Sequence, residues 1–228
     1  MSHELRTPLN AIIGFTDLMQ QQVLGPIAPV RYGEYIQDIH KSGKHLLSLI
    51  NDILDLAKIE AGRRELDERD LSPEELIRQA IGFVQPQAAA ARVVLRSEIA
   101  TYEILKGDRR ALVQMLTNLL SNAVKFSPPG AEIRIFARRT VAGGMILGVE
   151  DHGPGMSPEG LKKALEPFGQ AKAMETIEGQ GTGLGLPIVK ALVEAHGGIF
   201  ILESELAKGT RAVAEFPGER VLKRLCAA

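Results

Sequence analysis

The chain has no tryptophan, one cysteine and few aromatic residues, which make up 4% of its 228 positions. Because Cys226 is the only cysteine, an internal disulfide framework is excluded, as is typical of proteins in a reducing compartment. No signal peptide is evident, and no apolar run reaches the roughly 20 residues that a membrane-spanning helix needs. The formal net charge of −1 does not favour nucleic acid or an anionic membrane as a partner. We therefore expect a cytoplasmic location and no direct membrane contact for this part of the protein, whether or not a longer protein is anchored in a membrane.

Two heptad patterns predict that residues 1–62 form a helical hairpin. Apolar or small residues recur in both at spacings of three and four. The first pattern contains Leu5, Leu9, Ile12, Thr16, Met19 and Val23, and the second contains Ile36, Ile39, Gly43, Leu46, Ile50, Ile53 and Ala57. Glycine and prolines in residues 25–29 predict the turn between them. Because such narrow apolar stripes cannot enclose a core alone, we expect two hairpins to form a four-helix bundle in a homodimer. The alternative is that the hairpin packs on the rest of its own chain.

The rest of the chain has the pattern of an α/β domain. A charged stretch at residues 63–71 predicts a linker, and residues 72–228 predict the domain itself. Ser72, Pro73 and Glu75 form the pattern of a capping box at the start of a helix. Short β-type runs alternate with helical segments, which predicts an α/β sandwich with antiparallel or mixed later strands. The strands are predicted at 93–99, 132–138, 145–150, 198–203 and 211–216, and the further helices at 109–126, 158–165 and 184–196.

His3 is the first candidate for chemistry. In the heptad register His3, Glu4 and Thr7 fall at positions b, c and f, so all three should face solvent. Glu4 can accept a hydrogen bond from one ring nitrogen and leave the other nucleophilic. Thr7, one turn later, can position a water, and Pro8 should loosen or bend the helix there. The alternative is an ordinary surface histidine. Since His3 stands so near the start, we expect its helix to begin upstream in a longer protein.

Three polar boxes later in the chain predict a nucleotide site. Asn118, Asn122 and Lys125 share one face of a predicted helix. Amide oxygens suit Mg²⁺ that is also held by phosphate oxygens, and the lysine can offset phosphate charge. The alternative is a solvated polar face.

The second box is Asp151, Gly153 and Gly155, at the end of an apolar strand. A carboxylate there can accept the amino proton of adenine, and the glycines let backbone approach the ring. The alternative is a simple turn.

The third box opens a predicted helix and contains Gly181, Thr182, Gly183, Leu184 and Gly185. Glycine amides at a helix N-terminus predict an anion site, although the pattern is neither a Rossmann fingerprint nor a Walker loop. The polar residues 170–180 before it predict a mobile lid, with Phe168 either at its base or in the core. His40 and His45 flank the second heptad pattern, and His196 would suit the dipole at a helix end.

Together these motifs resemble the transmitter region of bacterial sensor histidine kinases, and they occur in the family's order over nearly the whole chain. Residues 3–8 resemble the H box, 118–126 the N box, 151–155 the G1 box, 166–169 the F box and 179–185 the G2 box. Residues 35–43 and 51–55 more narrowly resemble the alphaproteobacterial branch that includes cell-cycle kinases.

The resemblance implies a dimerisation and phosphotransfer hairpin followed by an ATP-binding domain of the Bergerat, or GHKL, type. It implies ATP and Mg²⁺ as cofactors, with Asn122 as main metal ligand, Asn118 assisting, and Phe126 within the nucleotide site. Gly209 and Thr210 resemble a further glycine box near the base, although Ala207 stands where a glycine is often found.

The implied reaction is phosphorylation of His3 by ATP and transfer of the phosphoryl group to an aspartate of a response-regulator receiver domain. Two alternatives remain at this point. One is that the main role is dephosphorylation of the regulator through Thr7. The other is a GHKL-type ATPase or a nucleotide-binding signalling scaffold without autokinase activity.

Overall fold

A computed structural model describes residues 2–23, 25–27, 31–60, 66–169 and 182–223. The chain divides into two compact units, Met1–Lys58 and Ile59–Ala228. Within the described residues, no helix is both long and apolar enough to cross a membrane.

The first unit is the expected helical hairpin, with α1 at Ser2–Gln20 and α2 at Arg31–Glu60. The two helices meet through Leu9 and Thr16 of α1 and Ile36, His40 and Gly43 of α2, all of which are buried. A Cβ atom at Gly43 would lie 3.1 Å from a side-chain carbon of Ile13, so the glycine permits the close approach of the helices.

Only part of each heptad pattern is buried in this contact. Six other large apolar members are about half exposed or more, namely Ile12, Met19, Val23, Ile39, Leu46 and Ile53. Each helix therefore has one apolar row against its neighbour and a second row on the surface of the hairpin.

The second unit is built on a five-stranded sheet in the order β2-β4-β5-β7-β6. Its strands are β2 (Val94–Ala100), β4 (Glu132–Arg139), β5 (Met145–Asp151), β6 (Ile199–Glu205) and β7 (Gly209–Phe216). β2 runs parallel to β4 and the other pairs are antiparallel, which confirms the mixed sheet expected from the sequence. A small second sheet contains β1 (Glu68–Leu71), β3 (Ile104–Asp108) and β8 (Val221–Leu222).

The helices of this unit are α3 (Pro73–Ala91), α4 (Arg109–Phe126), α5 (Pro158–Ala164) and α6 (Gly185–Ala195). α4 packs between α3 and α6 and against β5. The strand residues that alternate toward the helices are buried, for example Ile135, Leu147 and Ala214. An apolar layer between sheet and helices is therefore the core of this unit.

Two local expectations were wrong. Glu68–Leu71, in the predicted linker, form β1 and pair with β3. The helix that begins at Pro73 has no side-chain cap from Ser72. The expected third member of the capping box, Glu75, instead accepts a hydrogen bond from Arg109 of α4 at 2.7 Å. The Glu75 side chain therefore contacts the neighbouring helix α4 instead of the start of its own helix.

Candidate functional site

The polar face of α4 is the first part of the site. The helix begins where Asp108 accepts hydrogen bonds from the backbone N–H groups of Arg110 and Ala111, at 2.8 and 3.1 Å. Its apolar face is buried, whereas Asn118 and Asn122 are half-buried. A Cβ atom at Gly185 would lie 3.7 Å from the amide nitrogen of Asn122, so the N box faces the start of α6.

Lys125 and Phe126 end this helix and are also half-buried. The Lys125 ammonium lies 5.0 Å from the centre of the Phe126 ring. Burial lowers the pKa of Lys125 from its usual value. A partly desolvated ammonium gains more from a nearby anion than one in bulk water, so this lysine suits a phosphate.

The second part of the site is a polar row at one end of the five-stranded sheet. Asp151 of β5 pairs with Thr210 of β7, and Thr210 pairs with Ser204 of β6. Their side chains therefore lie side by side on the face that packs against the helices. The row directly below it is apolar and contains Val149, Ala212 and Leu202. The polar side chains therefore lie at the end of the sheet, next to the apolar core.

Asp151 is held in place by the backbone around it. Its carboxylate accepts a hydrogen bond from the N–H of Gly153 at 2.8 Å and another from the N–H of Thr210. Burial raises the pKa of the Asp151 carboxyl above its usual value, and these hydrogen bonds oppose the rise. The carboxylate is therefore a desolvated acceptor with a fixed orientation, which suits an amino group of a ligand.

The glycines around Asp151 are required by close backbone packing. Gly155 has a φ of +65°, and a Cβ atom there would overlap the carbonyl of Glu205. A Cβ atom at Gly209 would overlap the carbonyl of Asp151, and one at Gly153 would lie 2.9 Å from the carbonyl oxygen of Phe126. From the sequence, we expected these glycines to allow the backbone to approach a ligand ring. The structure gives a second reason, since the loop is clamped between α4 and the β6–β7 hairpin.

The third part is the segment that opens α6. Gly183 has a φ of +71°, and Leu184 donates its N–H to the Thr182 hydroxyl at 3.1 Å. The Leu184 side chain is fully buried, so this residue can meet a ligand only through its backbone. Gly181 lies outside the described residues.

Phe168 is 60% exposed and has a φ of +62°, so it is not a core residue. Its N–H donates to the carbonyl of Gly183 at 3.1 Å, which joins the F and G2 boxes through the backbone. The predicted lid, residues 170–180, lies outside the described residues.

The candidates in the hairpin are His3, Glu4 and Thr7. The backbone of all three is in α1, as the heptad pattern predicted. Their side chains lie outside the described part of the molecule.

Sequence reasoning missed two supporting residues and misjudged a third. Asp108 and Ser204 were not singled out, although an aspartate directly before a predicted helix is a usual N-cap signal. His196 does lie at the end of α6, but burial lowers its pKa, so it is not the cation that would suit the helix dipole. Its Nε2 accepts from the N–H of Asp108 at 3.0 Å, and its Nδ1 donates to the carbonyl of Leu192 at 2.7 Å.

The side chains available as ligands indicate what kind of metal ion the site could hold. Among the described residues there is no cluster of three or more His, Cys, Asp or Glu side chains that could hold a metal ion. Asn118 and Asn122 offer neutral amide oxygens instead. Such oxygens fit Mg²⁺ that arrives with phosphate ligands better than a free ion that requires a cage of carboxylates.

Comparison with known proteins gives the same picture for both parts of the chain. Residues 1–62 match the His Kinase A (phospho-acceptor) domain, and residues 107–220 match the histidine kinase-, DNA gyrase B- and HSP90-like ATPase domain. The cell-division control histidine kinase PdhS of Brucella abortus is 42% identical over 231 residues, which covers 97% of this chain and 22% of that protein. PdhS of Brucella melitensis matches to the same extent. The chain thus spans about a fifth of the length of these curated relatives.

Solved structures agree with this result. The crystal structure of full-length ShkA in complex with AMPPNP has a TM-score of 0.82 and 30% identity, over 99% of this chain and 45% of that one. The histidine kinase AdeS of Acinetobacter baumannii, with a TM-score of 0.66 and 22% identity over 94% of this chain and 97% of its own, shares the fold. This chain belongs to the histidine kinase family, with a phospho-acceptor domain followed by an ATPase domain.

Proposed function

We propose that this chain is the catalytic core of a sensor histidine kinase, in which bound ATP phosphorylates His3. One observation carries the proposal. The second unit contains both the desolvated carboxylate of Asp151 and a face of α4 that bears the side-chain amides of Asn118 and Asn122 and the ammonium group of Lys125. These groups match the two ends of ATP, an amino-bearing base and a triphosphate. The AMPPNP complex of the structurally similar ShkA supports an adenine nucleotide as the ligand.

Each part of the site has a role in this reaction. Asp151 accepts a hydrogen bond from the exocyclic amino group of adenine. Asn122 and Asn118 are the proposed ligands of Mg²⁺, which, when bound, neutralises charge on the phosphate oxygens. Lys125 adds a positive charge near the phosphates, and the backbone around Gly183 and Gly185 offers N–H groups to them.

His3 is the proposed nucleophile. A ring nitrogen attacks the γ-phosphorus, the bond from that phosphorus to the bridging oxygen breaks, and ADP leaves. Glu4 is proposed to hold the imidazole proton and orient the ring, and Thr7 to position the water or acceptor that later removes the phosphoryl group. Positioning and charge neutralisation provide most of the catalysis in such a reaction.

The exposed apolar row of the hairpin supports a homodimer. Ile12 and Met19 of α1 and Ile39, Leu46 and Ile53 of α2 are each between 43% and 51% exposed. A protomer that leaves such a row in water gains stability when a second hairpin covers it. We therefore propose the four-helix bundle as the dimer interface and a receiver-domain aspartate as the acceptor of the phosphoryl group.

The proposal is tested by incubating the chain with γ-labelled ATP and Mg²⁺. Wild type should acquire an acid-labile, base-stable label, which is typical of phosphohistidine, and His3→Gln should acquire none. Asp151→Asn, which alters the nucleotide site and leaves His3 intact, should label at least tenfold more slowly. A label that is acid-stable, or that persists in His3→Gln, would contradict the autokinase.

A further inference from the structure

Ser204 makes three hydrogen bonds that join the parts of the base site. Its hydroxyl oxygen accepts from the N–H of Met156 at 2.9 Å, lies 3.0 Å from the carbonyl oxygen of Gly209, and lies 2.9 Å from the hydroxyl oxygen of Thr210. We infer that Ser204 is a positioning residue that orients the Thr210 hydroxyl and so makes this site select a purine with an amino group at position 6. This inference rests on the proposed function and goes beyond it.

The number of hydroxyl protons determines which group donates in each of the three hydrogen bonds of Ser204. A serine hydroxyl has one proton to donate and two lone pairs to accept with. The carbonyl of Gly209 can only accept, so the proton of Ser204 must point to it. One lone pair then accepts from Met156, and the other is left for Thr210. If Ser204 instead donated to Thr210, its lone pair would face the carbonyl oxygen of Gly209 at 3.0 Å, which is unfavourable.

The direction of the bond from Thr210 to Ser204 determines what the Thr210 hydroxyl can offer a ligand. Because its only hydroxyl proton is directed to Ser204, the Thr210 oxygen can offer a ligand nothing but lone pairs. Asp151 is the direct cross-strand neighbour of Thr210 on the same face of the sheet. When ionised, its carboxylate also only accepts. The row therefore presents two neighbouring acceptors and no side-chain donor from these two residues.

Two hydrogen-bond acceptors can bind an amino group, which donates, and repel a carbonyl oxygen, which can only accept. The 6-amino group of adenine has two protons to donate, whereas the 6-oxo group of hypoxanthine or guanine has lone pairs that would face those of Asp151 and Thr210. Rejection is strong when a site of this kind leaves buried polar groups without partners. Without Ser204 the Thr210 hydroxyl is free to rotate and can donate to a 6-oxo group.

The test compares the affinity of the whole chain for ATP and for inosine triphosphate, by calorimetric titration in the presence of Mg²⁺. Wild type should favour ATP. Ser204→Ala should reduce the ratio of the two affinities by about tenfold, mainly because inosine triphosphate binds more tightly once the Thr210 hydroxyl can donate to its 6-oxo group. Ser97→Ala, the same change at an exposed position of β2 at the opposite edge of the sheet, should leave the ratio unchanged.

A double-mutant comparison separates orientation from simple bracing of the loop. In a Thr210→Val background, which removes the hydroxyl and keeps the shape, Ser204→Ala should have no further effect on the ratio. Thr210→Val alone should lower the ratio, and Thr210→Ser should restore it, so the inference stays testable if Ser204→Ala does not fold.

The outcomes that overturn the inference are distinct. Equal weakening of both nucleotides by Ser204→Ala, or an unchanged ratio in Thr210→Val, would overturn the orienting role and leave ATP binding intact. A wild-type chain that binds neither nucleotide would overturn the proposed function and this inference with it.

Discussion

Thr16 of α1 and His40 of α2 form a buried hydrogen bond across the helical hairpin, with 3.0 Å between Oγ1 and Nδ1. Both residues are less than 10% exposed. The Thr16 hydroxyl also lies within 2.9 Å of the carbonyl oxygens of Ile12 and Ile13, so it has a backbone acceptor one turn earlier. The Asp17 carboxylate lies 3.6 Å from the other ring nitrogen of His40. A polar contact of this kind holds two helices in one register, because any slip leaves its groups buried and unpaired.

The first prediction concerns this contact. Thr16→Val removes the hydroxyl and leaves a buried nitrogen of His40 without its partner, so it should destabilise the hairpin by about 1–3 kcal/mol. Replacing both residues, as in Thr16→Val with His40→Leu, should cost less than the sum of the two single changes. Thermal unfolding at a fixed protein concentration measures this. The exposed Ser48→Ala on α2 is the control, and strictly additive effects of the two changes would contradict the coupling.

The second prediction concerns His196 and acid. Burial holds the pKa of His196 below its usual value, so its neutral form stabilises the fold above a pH of about 6.5 and this contribution is lost as the pH falls toward the lowered pKa. Protonation removes the lone pair that accepts from Asp108 and so weakens the start of α4. His196→Gln should therefore be less stable than wild type at pH 7.5 by about 1–3 kcal/mol, measured by thermal unfolding, and should lose less stability on going to pH 5.5.

The control for this experiment is His152→Gln, because His152 is exposed and its Nδ1 hydrogen-bonds to the carbonyl of Glu132, away from Asp108. His152→Gln leaves the hydrogen bond between His196 and Asp108 in place, so it should not reproduce the change seen in His196→Gln. Carboxylates such as Asp67 and Glu68, whose pKa values are lowered by Arg69 and Arg220, do not titrate in this range. Parallel curves for wild type and His196→Gln would contradict the role of His196.

These contacts mark the limit of what the sequence could predict. The spacing of apolar residues predicted α4 and the order of the later strands along the chain. α4 buries a regular apolar face, and apolar and polar residues alternate along each strand. The polar motifs predicted Asn122 and Asp151 as site residues, and the resemblance implied that Asn122 is the main metal ligand. None of these could give the pairing of Thr16 with His40 or of Ser204 with Thr210, since both depend on the register of elements that the chain brings together only on folding. β1 was missed for a similar reason: its polar residues form a strand because β3 offers it an edge.

The third prediction starts from a departure from the family pattern. Ala207 has a φ of +62°, a left-handed conformation that costs an alanine about 1–2 kcal/mol and a glycine very little. Its N–H donates to the carbonyl of Pro154 at 2.8 Å, so the turn is fixed by the loop that follows Asp151. After the loss of backbone entropy is subtracted, Ala207→Gly should stabilise the protein by about 0.5–1 kcal/mol.

Thermal unfolding checks this, with an expected rise in the melting temperature of roughly 1–4 °C. Ala142→Gly is the matched control, because Ala142 is exposed in a turn without a left-handed backbone and glycine there should only add flexibility. A fall in stability for Ala207→Gly would show that the strain is absent.

The fourth prediction concerns Asp151, where binding and stability should oppose each other. Because burial raises the pKa of this carboxyl, the ionised form costs stability, and the cost appears as the pH rises through the raised pKa. Asp151→Asn keeps an oxygen that can accept from Gly153 and removes the charge. Without nucleotide at pH 7.5, the variant should therefore unfold at a higher temperature than wild type, and the difference should shrink as the pH falls below the raised pKa of the wild-type carboxyl.

With ATP present the order should reverse. A ligand that binds only the folded state stabilises it in proportion to its occupancy, and Asp151→Asn should bind ATP at least tenfold more weakly because its amide nitrogen can face the amino group of adenine. Asp67→Asn is the control: Asp67 is exposed and its pKa is lowered by Arg69, so removing its charge should bring no gain in stability and no loss of ATP affinity. If Asp151→Asn were less stable than wild type without nucleotide, burial of the charge would not be the dominant effect at this position, and the carboxylate would have to be held by more than the two backbone N–H groups of Gly153 and Thr210.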